Sequence, residues 1–348
     1  DREFDSVDAL ISYYQVRKVP IKLDGVDVIL GVPVRRKAWE LRHKMITIQQ
    51  ELGAGSYGVV YMAQLHFPRQ EPITVAAKSL TDIDLEAQQA LWKEARSMQL
   101  YDHENITKFY GVCNDQLPYY LVMEFIRGGS VDSLLTNFPG ASHHRRARIA
   151  LEAACGIDYL HSKGCIHRDI AARNLLIDKV TKVADFGLTR KCTHYKIDPD
   201  KPMNLRWLAP DVYKTSSVTK ATDVYAFGIT LFELFVVPYA IPYSHWDTDT
   251  VFRKVVEHGY RLAPPQNCPK EIGGVLKDCL LEPKLRPTFK MIVIFLTGHV
   301  RKLEKDVIIE EELKEEAKAL KKAKLKKKKE EEEEKKEEAR RKKEEDSG

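Results

Sequence analysis

The first indication of the fold is the motif Cys165-Ile166-His167-Arg168-Asp169-Ile170-Ala171-Ala172-Arg173-Asn174-Leu175-Leu176. It places an aspartate and, five residues later, an asparagine in a short polar turn between apolar flanks. Asp169 can accept a proton from a hydroxyl, and Asn174 offers an amide oxygen to a hard cation. Sixteen residues after Asp169, Asp185-Phe186-Gly187 adds a second carboxylate on a turn. One base and two metal ligands are what phosphoryl transfer from a metal-bound nucleotide requires.

A glycine-rich stretch precedes this motif at Leu52-Gly53-Ala54-Gly55-Ser56-Tyr57-Gly58-Val59-Val60. Three glycines let a hairpin turn lie close over phosphates without obstruction by side chains. Dinucleotide sites use the same glycine spacing, but there the glycines lead into a helix and an acidic residue closes the unit. Here they lead into a further strand, which favours a nucleotide-covering hairpin.

A lysine lies within the next apolar run, at Lys78 in the predicted strand 74–80. Residues 84–100 then predict a helix, with Ala87, Leu91, Ala95 and Met98 on one stripe and Glu94 beside it. A lysine held by this glutamate would stay oriented to grip α- and β-phosphates. The alternative for Lys78 alone is a solvated lysine on an edge strand.

The chain changes character after the buried-type strand 119–125. Arg127-Gly128-Gly129 is a flexible connector, so a β-rich first lobe is followed by a helical second lobe. Residues 188–208, with Tyr195, predict a surface loop that can change order. Asp223 is read as the cap of a central helix over Val224–Val237, and a last amphipathic helix follows Arg286-Pro287 and runs to about Val300.

The charge balance argues against a nucleic-acid-binding protein. The 348 residues have a net charge of +5, and residues 301–348 contribute 18 Lys+Arg against 17 Asp+Glu, so the first 300 are only mildly basic. Residues 301–348 predict a solvated charged helix or a disordered tail. The alternative is that the basic run Lys321–Lys329 contacts nuclear import factors or acidic lipids, the latter as in a peripheral membrane or signalling-complex association.

The cysteine pattern indicates a cytoplasmic location. The six cysteines are scattered without metal-ligand spacing and are predicted to be reduced, with Cys165 and Cys279 buried. No apolar run reaches the ~18 residues of a membrane span. The chain begins at Asp1 in mid-pattern, so we expect a fragment of something longer.

Residues 1–36 predict one short helix capped by Ser6 and two β-like runs, 19–21 and 26–34, separated by Asp24-Gly25. So few elements cannot bury an independent core. The segment is therefore either an extension packed on the next domain or the end of a module whose front half is missing. Residues 37–45 are charged around Trp39 and predict a linker.

Taken together, these motifs resemble a eukaryotic protein kinase across residues 46–300. The resemblance implies an α+β, bilobal protein-kinase fold with a β-rich N-lobe and a mainly helical C-lobe. Ala171 and Arg173 in the catalytic loop, and Arg206-Trp207 before Ala209, are similar to the tyrosine-specific form. The resemblance thus implies a non-receptor protein-tyrosine kinase that uses ATP and Mg²⁺ and acts on tyrosines of proteins.

Residues 1–36 resemble the last third of an SH2 domain, and their direct connection to a kinase is similar to the Fps/Fes/Fer group. The SH2 strand that grips phosphotyrosine would precede Asp1, so phosphotyrosine binding is not expected of this chain. The expected organisation is an SH2 remnant over 1–36, a linker over 37–45, a kinase domain over 46–300 and the charged tail.

The resemblance also implies a role for each matching residue. Asp169 positions and deprotonates the substrate hydroxyl, Arg173 orients the loop, Lys78 pairs with Glu94, and Asn174 and Asp185 hold magnesium. Tyr195 is the expected autophosphorylation site, with Arg168 as partner of its phosphate. The nucleotide would contact Leu52, Gly53, Ala54, Gly55, Ser56, Tyr57, Gly58, Val59, Val60, Ala76, Lys78, Met123, Glu124, Phe125 and Leu176.

Two departures from the family pattern bear on the site. Asp211 stands where the family has glutamate, and its shorter side chain is expected to loosen the pair with Arg286. Asn204 replaces a usual proline in the substrate-positioning loop, which bears on peptide selectivity. The competing function is a pseudokinase scaffold, disfavoured because every catalytic residue is present. Serine/threonine or dual specificity is disfavoured by Ala171 and Arg173.

Overall fold

The computed structural model describes residues 3–32, 36–55, 58–80, 89, 92, 95–96, 98–197 and 204–306. The chain divides into two compact units, one of Asp1–Ile83 with Tyr110–Met123 and one of Asp84–Phe109 with Glu124–Gly348. The longest strands belong to the first unit, and the longest helices belong to the second. The predicted succession of a β-rich part and a mainly helical part is confirmed.

The N-terminal residues form one helix and one hairpin. Helix α1 (Val7–Arg17) is capped by Ser6, whose Oγ accepts the Ala9 N–H at 3.1 Å, as predicted. Strands β1 (Ile21–Leu23) and β2 (Val26–Val28) pair antiparallel around Asp24 and Gly25, both at positive φ. The first strand begins two residues later than predicted. No residue of α1 is buried, in keeping with a segment too small for its own core.

The other strands of the first unit form one six-stranded sheet. Its order is β3-β7-β8-β6-β5-β4. The strands are β3 (Glu40–Leu41), β4 (Ile46–Gly55), β5 (Gly58–Leu65), β6 (Ile73–Leu80), β7 (Phe109–Cys113) and β8 (Tyr119–Glu124). Strands β4, β5 and β6 form consecutive antiparallel pairs, whereas β3 lies parallel to β7.

A short strand, β3, lies inside the segment 37–45 that the sequence predicts to be a linker. The Val112 N–H donates to the Trp39 carbonyl at 2.8 Å, and Leu41 is only 1% exposed. Gly111 permits this approach, because a Cβ built there would lie 2.2 Å from the Trp39 oxygen. The sequence did not predict this strand, because its two residues lie among charged residues around Trp39. Its apolar residue, Leu41, belongs to the core.

Alternation along β5 and β6 separates two faces of the sheet. On one face Ala63 pairs with Val75 and Tyr61 with Ala77, and the buried members join Leu41 in the core cluster. That core fixes the register, because a one-residue slip would expose the buried set.

In the part of the chain that the structure describes, the second unit contains the following helices and three short strand pairs, besides separate helical residues between 89 and 98. The helices are α2 (Val131–Asn137), α3 (His143–Ser162), α4 (Pro210–Thr215), α5 (Lys220–Phe235), α6 (Thr248–Phe252), α7 (Lys270–Cys279) and α8 (289–306). The strands are β9 (Cys165–Ile166), β10 (Leu175–Ile177), β11 (Thr181–Val183), β12 (Arg190–Lys191), β13 (Tyr195–Lys196) and β14 (Ser217–Val218). The pairs are β9 with β12, β10 with β11, and β13 with β14.

Helix α5 is central, as predicted, but its start is not where the sequence placed it. Thr219 caps the helix in a capping box with Thr222, so the predicted cap Asp223 lies inside the first turn. The helix also ends at Phe235 rather than Val237. The Asp223 carboxylate instead accepts the backbone N–H groups of His167 and Arg168.

Asp211 and Arg286 form an ion pair despite the shorter acidic side chain. Two Arg286 nitrogens contact the two Asp211 oxygens, one of them at 3.4 Å. Arg286 also donates to the Leu281 carbonyl at 2.8 Å and the Ala221 carbonyl at 3.0 Å. The prediction of a loosened pair was therefore wrong, because the arginine reaches far enough to compensate.

Two other predictions concern the thiols and the tail. All six cysteines are unpaired, and Cys165 and Cys279 are buried, as predicted. Helix α8 continues past the predicted end near 300 to residue 306, and residues 307–348 of the predicted tail lie outside the described residues. Among the helices that are described, none is long and apolar enough to cross a bilayer.

Gly228 allows α5 to pack closely on α7, and its replacement should destabilise the second unit. A Cβ at Gly228 would lie 2.7 Å from the Cys279 Cβ. We expect Gly228→Ala to lower the free energy of unfolding by about 1–3 kcal/mol through overpacking. Gly274→Ala on α7 is the control: its Cβ meets nothing within 4 Å, so it should stabilise by about 0.5–1 kcal/mol. Equal thermal unfolding midpoints for the two variants would contradict this packing argument.

Candidate active site

The loop between β9 and β10 is held in place by the buried carboxylate of Asp223. Asp223 is 1% exposed, and its oxygens accept the backbone N–H groups of His167 at 2.8 Å and Arg168 at 2.9 Å. His161 Nε2 lies 2.9 Å from the same carboxylate. A buried anion is stable only when its oxygens are hydrogen-bonded, and three groups do so here. Asp223 thus fixes the loop to helix α5.

This attachment accompanies an uncommon backbone conformation. Arg168 has φ 76°, in the left-handed region that non-glycine residues rarely adopt. The Asp223 contact to its N–H and a 3.0 Å hydrogen bond from Arg168 Nη1 to the Leu188 carbonyl hold it there. The turn at Arg168 sets the direction in which the chain enters Asp169.

His167 is a fully buried structural residue of the loop. Its Nδ1 lies 3.3 Å from the Asp169 N–H, which it can only accept, so Nε2 is assigned the proton and donates to the Ala184 carbonyl at 3.2 Å. The imidazole therefore links the loop of Asp169 to the segment that carries Asp185.

The predicted base, Asp169, is surrounded by side-chain donors. Arg173 Nη2 lies 2.6 Å from Oδ1, and Asn174 Nδ2 lies 2.8 Å from Oδ2 and 2.7 Å from the Asp169 carbonyl. These charge-assisted hydrogen bonds orient both carboxylate oxygens. The structure thus brings Asp169, Arg173 and Asn174 together, as the resemblance implies.

Asn174 and Asp185 are brought to the same end of the β10–β11 ladder. Leu175 pairs with Val183, and the Ala184 N–H donates to the Asn174 carbonyl at 2.9 Å, so Asp185 follows directly. Asn174 uses its amide nitrogen in both hydrogen bonds to Asp169, which leaves the lone pairs of its amide oxygen out of them. One amide oxygen and one carboxylate fit a hard cation that completes its shell with phosphate and water. No cluster of three or more acidic, His or Cys ligands occurs among the described residues.

Phe186 anchors the segment after Asp185. It is 1% exposed, and its ring lies 5.7 Å from that of Tyr101 and 5.6 Å from that of His167. Asp185 itself has φ 60°, and its Oδ1 accepts the Gly187 N–H at 3.3 Å. The carboxylate is thereby placed on a tight turn whose neighbouring ring is buried.

The predicted regulatory residues also meet. The guanidinium of Arg168 lies 4.3 Å from the ring centre of Tyr195, and that of Arg190 lies 5.4 Å from it. Burial, helped by the nearby Arg190, lowers the pKa of the Arg168 guanidinium. Two cations beside one tyrosine favour an added negative charge at this place.

Glu233 is a residue of this site that the sequence analysis missed. It is 1% exposed and accepts hydrogen bonds from the Ala172 N–H at 3.0 Å, Trp207 Nε1 at 2.8 Å and the Tyr239 hydroxyl at 2.9 Å. Burial raises the pKa of the Glu233 carboxyl, against the lowering effect of these hydrogen bonds. An acidic residue within a helix that is apolar nearly all round was the available signal for both Glu233 and Asp223.

In the first unit, three of the predicted nucleotide contacts share one face of the sheet. Val60 pairs with Lys78 across β5 and β6, and Ala76 precedes Lys78 by two residues, so their side chains point to the face opposite the core cluster. Gly55 pairs with Gly58 at the tip of the β4–β5 hairpin, with Leu52, Gly53, Ala54 and Val59 along it. Glu94, Ser56 and Tyr57 lie outside the described residues, so the Lys78–Glu94 pair stays a prediction.

The predicted adenine contacts are divided between the units. Met123 is near the end of β8, and Leu176 lies in β10 opposite Lys182. The Glu124 N–H donates to the Lys108 carbonyl at 2.8 Å, so a backbone hydrogen bond to adenine from Glu124 falls to its carbonyl. Phe125 follows it and is half-buried.

Comparisons with known proteins show which family the chain resembles. The family model for protein tyrosine and serine/threonine kinases matches residues 46–296. Human tyrosine-protein kinase Fer is 34% identical over 86% of this chain and 37% of its own length. The transforming protein Fps of avian sarcoma virus is 31% identical over 82% of the chain and 54% of its own length, and spermatocyte protein spe-8 of Caenorhabditis elegans is 36% identical over 67% and 46%. The chain spans about a third of the length of Fer.

Removal of the Asp223 carboxylate should loosen the loop without unfolding the unit. We expect Asp223→Ala to speed hydrogen exchange of the His167 and Arg168 amides by at least about tenfold, because both lose their acceptor. Mass spectrometry of peptides across 163–175 measures it. Asp249→Ala, which removes an acidic residue of α6, is the control and should leave these amides unchanged. Unchanged exchange in Asp223→Ala would contradict the anchoring role.

Proposed function

The chain belongs to the protein tyrosine and serine/threonine kinase family, and from that premise we propose that it is a non-receptor protein-tyrosine kinase. It transfers the γ-phosphoryl group of ATP to tyrosine hydroxyls of proteins. The observation that carries this proposal is the orientation of Asp169 by Arg173 and Asn174, next to the segment that bears Asp185. The relatives named as tyrosine-protein kinases support the choice of acceptor.

Asp169 acts as the acceptor of the substrate proton. As the tyrosine oxygen forms its bond to the γ-phosphorus and the bond to ADP breaks, the hydroxyl proton passes to the Asp169 carboxylate. Arg173 keeps this carboxylate aimed and balances its charge before the transfer. Lys78 lies on the face of the sheet opposite the core cluster, and we propose that it binds the α- and β-phosphates.

Asn174 and Asp185 are proposed to hold Mg²⁺ through one amide oxygen and one carboxylate. When bound, this ion neutralises charge on the β- and γ-phosphates and helps to align them for transfer. The β10–β11 ladder supports this proposal, because Asn174 directly precedes β10 and Asp185 lies two residues after β11, at the same end of the pair.

The presence of Arg173 supports the proposal that tyrosine is the acceptor of the phosphoryl group. Its guanidinium lies 4.4 Å from the ring centre of Trp207, so the residue that orients the base also rests on the loop that would receive the peptide. Ala171 leaves the place two residues after Asp169 without the lysine usual in serine/threonine kinases. Ala171, Arg173 and Trp207 are among the residues on which the sequence resemblance to the tyrosine group rests.

Tyr195 is the proposed regulatory site. Phosphorylation would place a phosphate beside Arg168 and Arg190, whose guanidinium groups already lie within 5.4 Å of the ring centre. New charge-assisted hydrogen bonds there would fix β13 and the preceding loop.

We further propose a cytoplasmic location, with tyrosine-containing proteins as partners and no nucleic acid. Six unpaired thiols fit a reducing compartment, and the mildly basic body gives no reason to expect nucleic acid. Association with a membrane surface or a signalling complex and the presence of an SH2 remnant stay predictions.

Purified protein with Mg-ATP and a poly-Glu-Tyr substrate tests the proposed reaction. We expect phosphotyrosine formation, and a fall of at least about 100-fold in kcat for Asp169→Asn, because the amide keeps the shape but cannot accept the proton. Asp278→Asn, on the distant helix α7, makes the same chemical change and should retain the activity. Equal rates for Asp169→Asn and wild type would reject Asp169 as the base, and an inactive wild type would favour the scaffold.

Preincubation with Mg-ATP tests the regulatory role of Tyr195. The wild type should gain activity by roughly tenfold as the loop is phosphorylated, since two arginines then acquire a phosphate partner. Tyr195→Phe should lack this gain but keep the basal rate, and Tyr260→Phe, elsewhere on the surface of the second unit, should behave like wild type. A full gain in Tyr195→Phe would assign the regulation to another residue.

A further inference from the structure

Asn204 reaches the predicted base from a different segment of the chain. Its Nδ2 donates to Asp169 Oδ1 at 2.7 Å, across 35 positions of sequence. Because a carboxylate only accepts hydrogen bonds, the amide nitrogen is the atom that faces it. Proline, the residue that the kinase pattern usually has here, carries no such donor.

The contact completes a set of three side-chain donors around one carboxylate. Oδ1 receives Arg173 and Asn204, whereas Oδ2 receives Asn174. The Asp169 side chain is only 11% exposed, so these donors replace most of the water that would otherwise solvate it. Since two donors converge on Oδ1, Oδ2 keeps the larger remaining capacity to accept a substrate hydroxyl.

The backbone of Asn204 is held as well. Its backbone carbonyl accepts the backbone N–H of Trp207 at 3.0 Å in a short turn, and the Trp207 indole donates to Glu233 at 2.8 Å. The Trp207 ring also lies under the Arg173 guanidinium at 4.4 Å. The four residues Asp169, Arg173, Trp207 and Asn204 therefore form a closed ring of contacts. Because the backbone of Asn204 is held by Trp207, the side chain of Asn204 can fix the position of the Asp169 carboxylate.

We propose that Asn204 is a positioning residue for Asp169, an inference that rests on the proposed function. Its amide holds the carboxylate in the rotamer that presents Oδ2 to the substrate hydroxyl. The proton moves as in the proposed reaction, from that hydroxyl to Asp169, and Asn204 takes no part in the covalent step. The orientation of the base thereby depends on the placement of the segment that contains Trp207.

Two substitutions at Asn204 separate this role from a mere surface contact. Asn204→Ala removes the donor. Asn204→Asp keeps the size and shape but sets a carboxylate against Asp169, so like charges repel. Asn137→Asp at the end of α2 is the matched control, because it makes the same charge change away from the site. The measurements are kcat and KM for poly-Glu-Tyr at saturating Mg-ATP, with thermal unfolding midpoints for every variant.

We expect kcat to fall about tenfold in Asn204→Ala and about 100-fold in Asn204→Asp, because misplacement of a catalytic group acts on the chemical step. KM should change by less than about twofold, since the amide does not hold the substrate. Asn204 is exposed, so both unfolding midpoints should stay near that of the wild type. If Asn204→Asp does not fold, Asn204→Ala still decides the question.

The possible results distinguish this inference from the proposed function. Wild-type kcat in Asn204→Ala, with an active wild type and an inactive Asp169→Asn, would overturn the positioning role and leave the kinase assignment standing. A raised KM with unchanged kcat would also overturn it, because it would mean that Asn204 binds the peptide. A wild type without phosphotransfer would overturn the proposed function and, with it, this inference.

Discussion

The second unit depends on the contact between the Asp223 carboxylate and the backbone of the loop above it. Two peptide N–H groups and one imidazole satisfy a buried anion, so helix α5 and the loop stabilise each other. Arg168 is held in a left-handed conformation in this loop, directly before Asp169. Asp169 and the arginine beside Tyr195 therefore depend on the same support.

The order of the motifs could be predicted from the sequence, whereas the contacts between them could not. The loop of Asp169, the turn at Asp185 and the central, buried helix α5 each have a local pattern of residue types. Asp223 was read as a helix cap because an acidic residue before an apolar run is typical of one. The structure gives the cap to Thr219, and only the fold shows that the carboxylate meets a loop more than fifty residues away.

Two further features lack a local signal for the same reason. Strand β3 is two residues long, too short to show alternation, and its pairing with β7 joins positions about seventy residues apart. Asn204 could be recognised only as a departure from a family pattern, because its partner Asp169 lies on another segment. Short strands and single polar contacts are thus decided by tertiary structure, while long periodic elements are decided by sequence.

Strand β3 also sets the reach of the N-terminal segment. Eleven residues, 29–39, lie between the end of β2 at Val28 and the first residue paired with β7, so they span at most about 40 Å when extended. The hairpin before them therefore stays within that distance of this edge of the sheet. A pull on the attached segment would load the Trp39–Val112 hydrogen bond directly. Gly111 is then the position at which a single added methyl group would disturb this attachment, because its Cβ would lie 2.2 Å from the Trp39 oxygen.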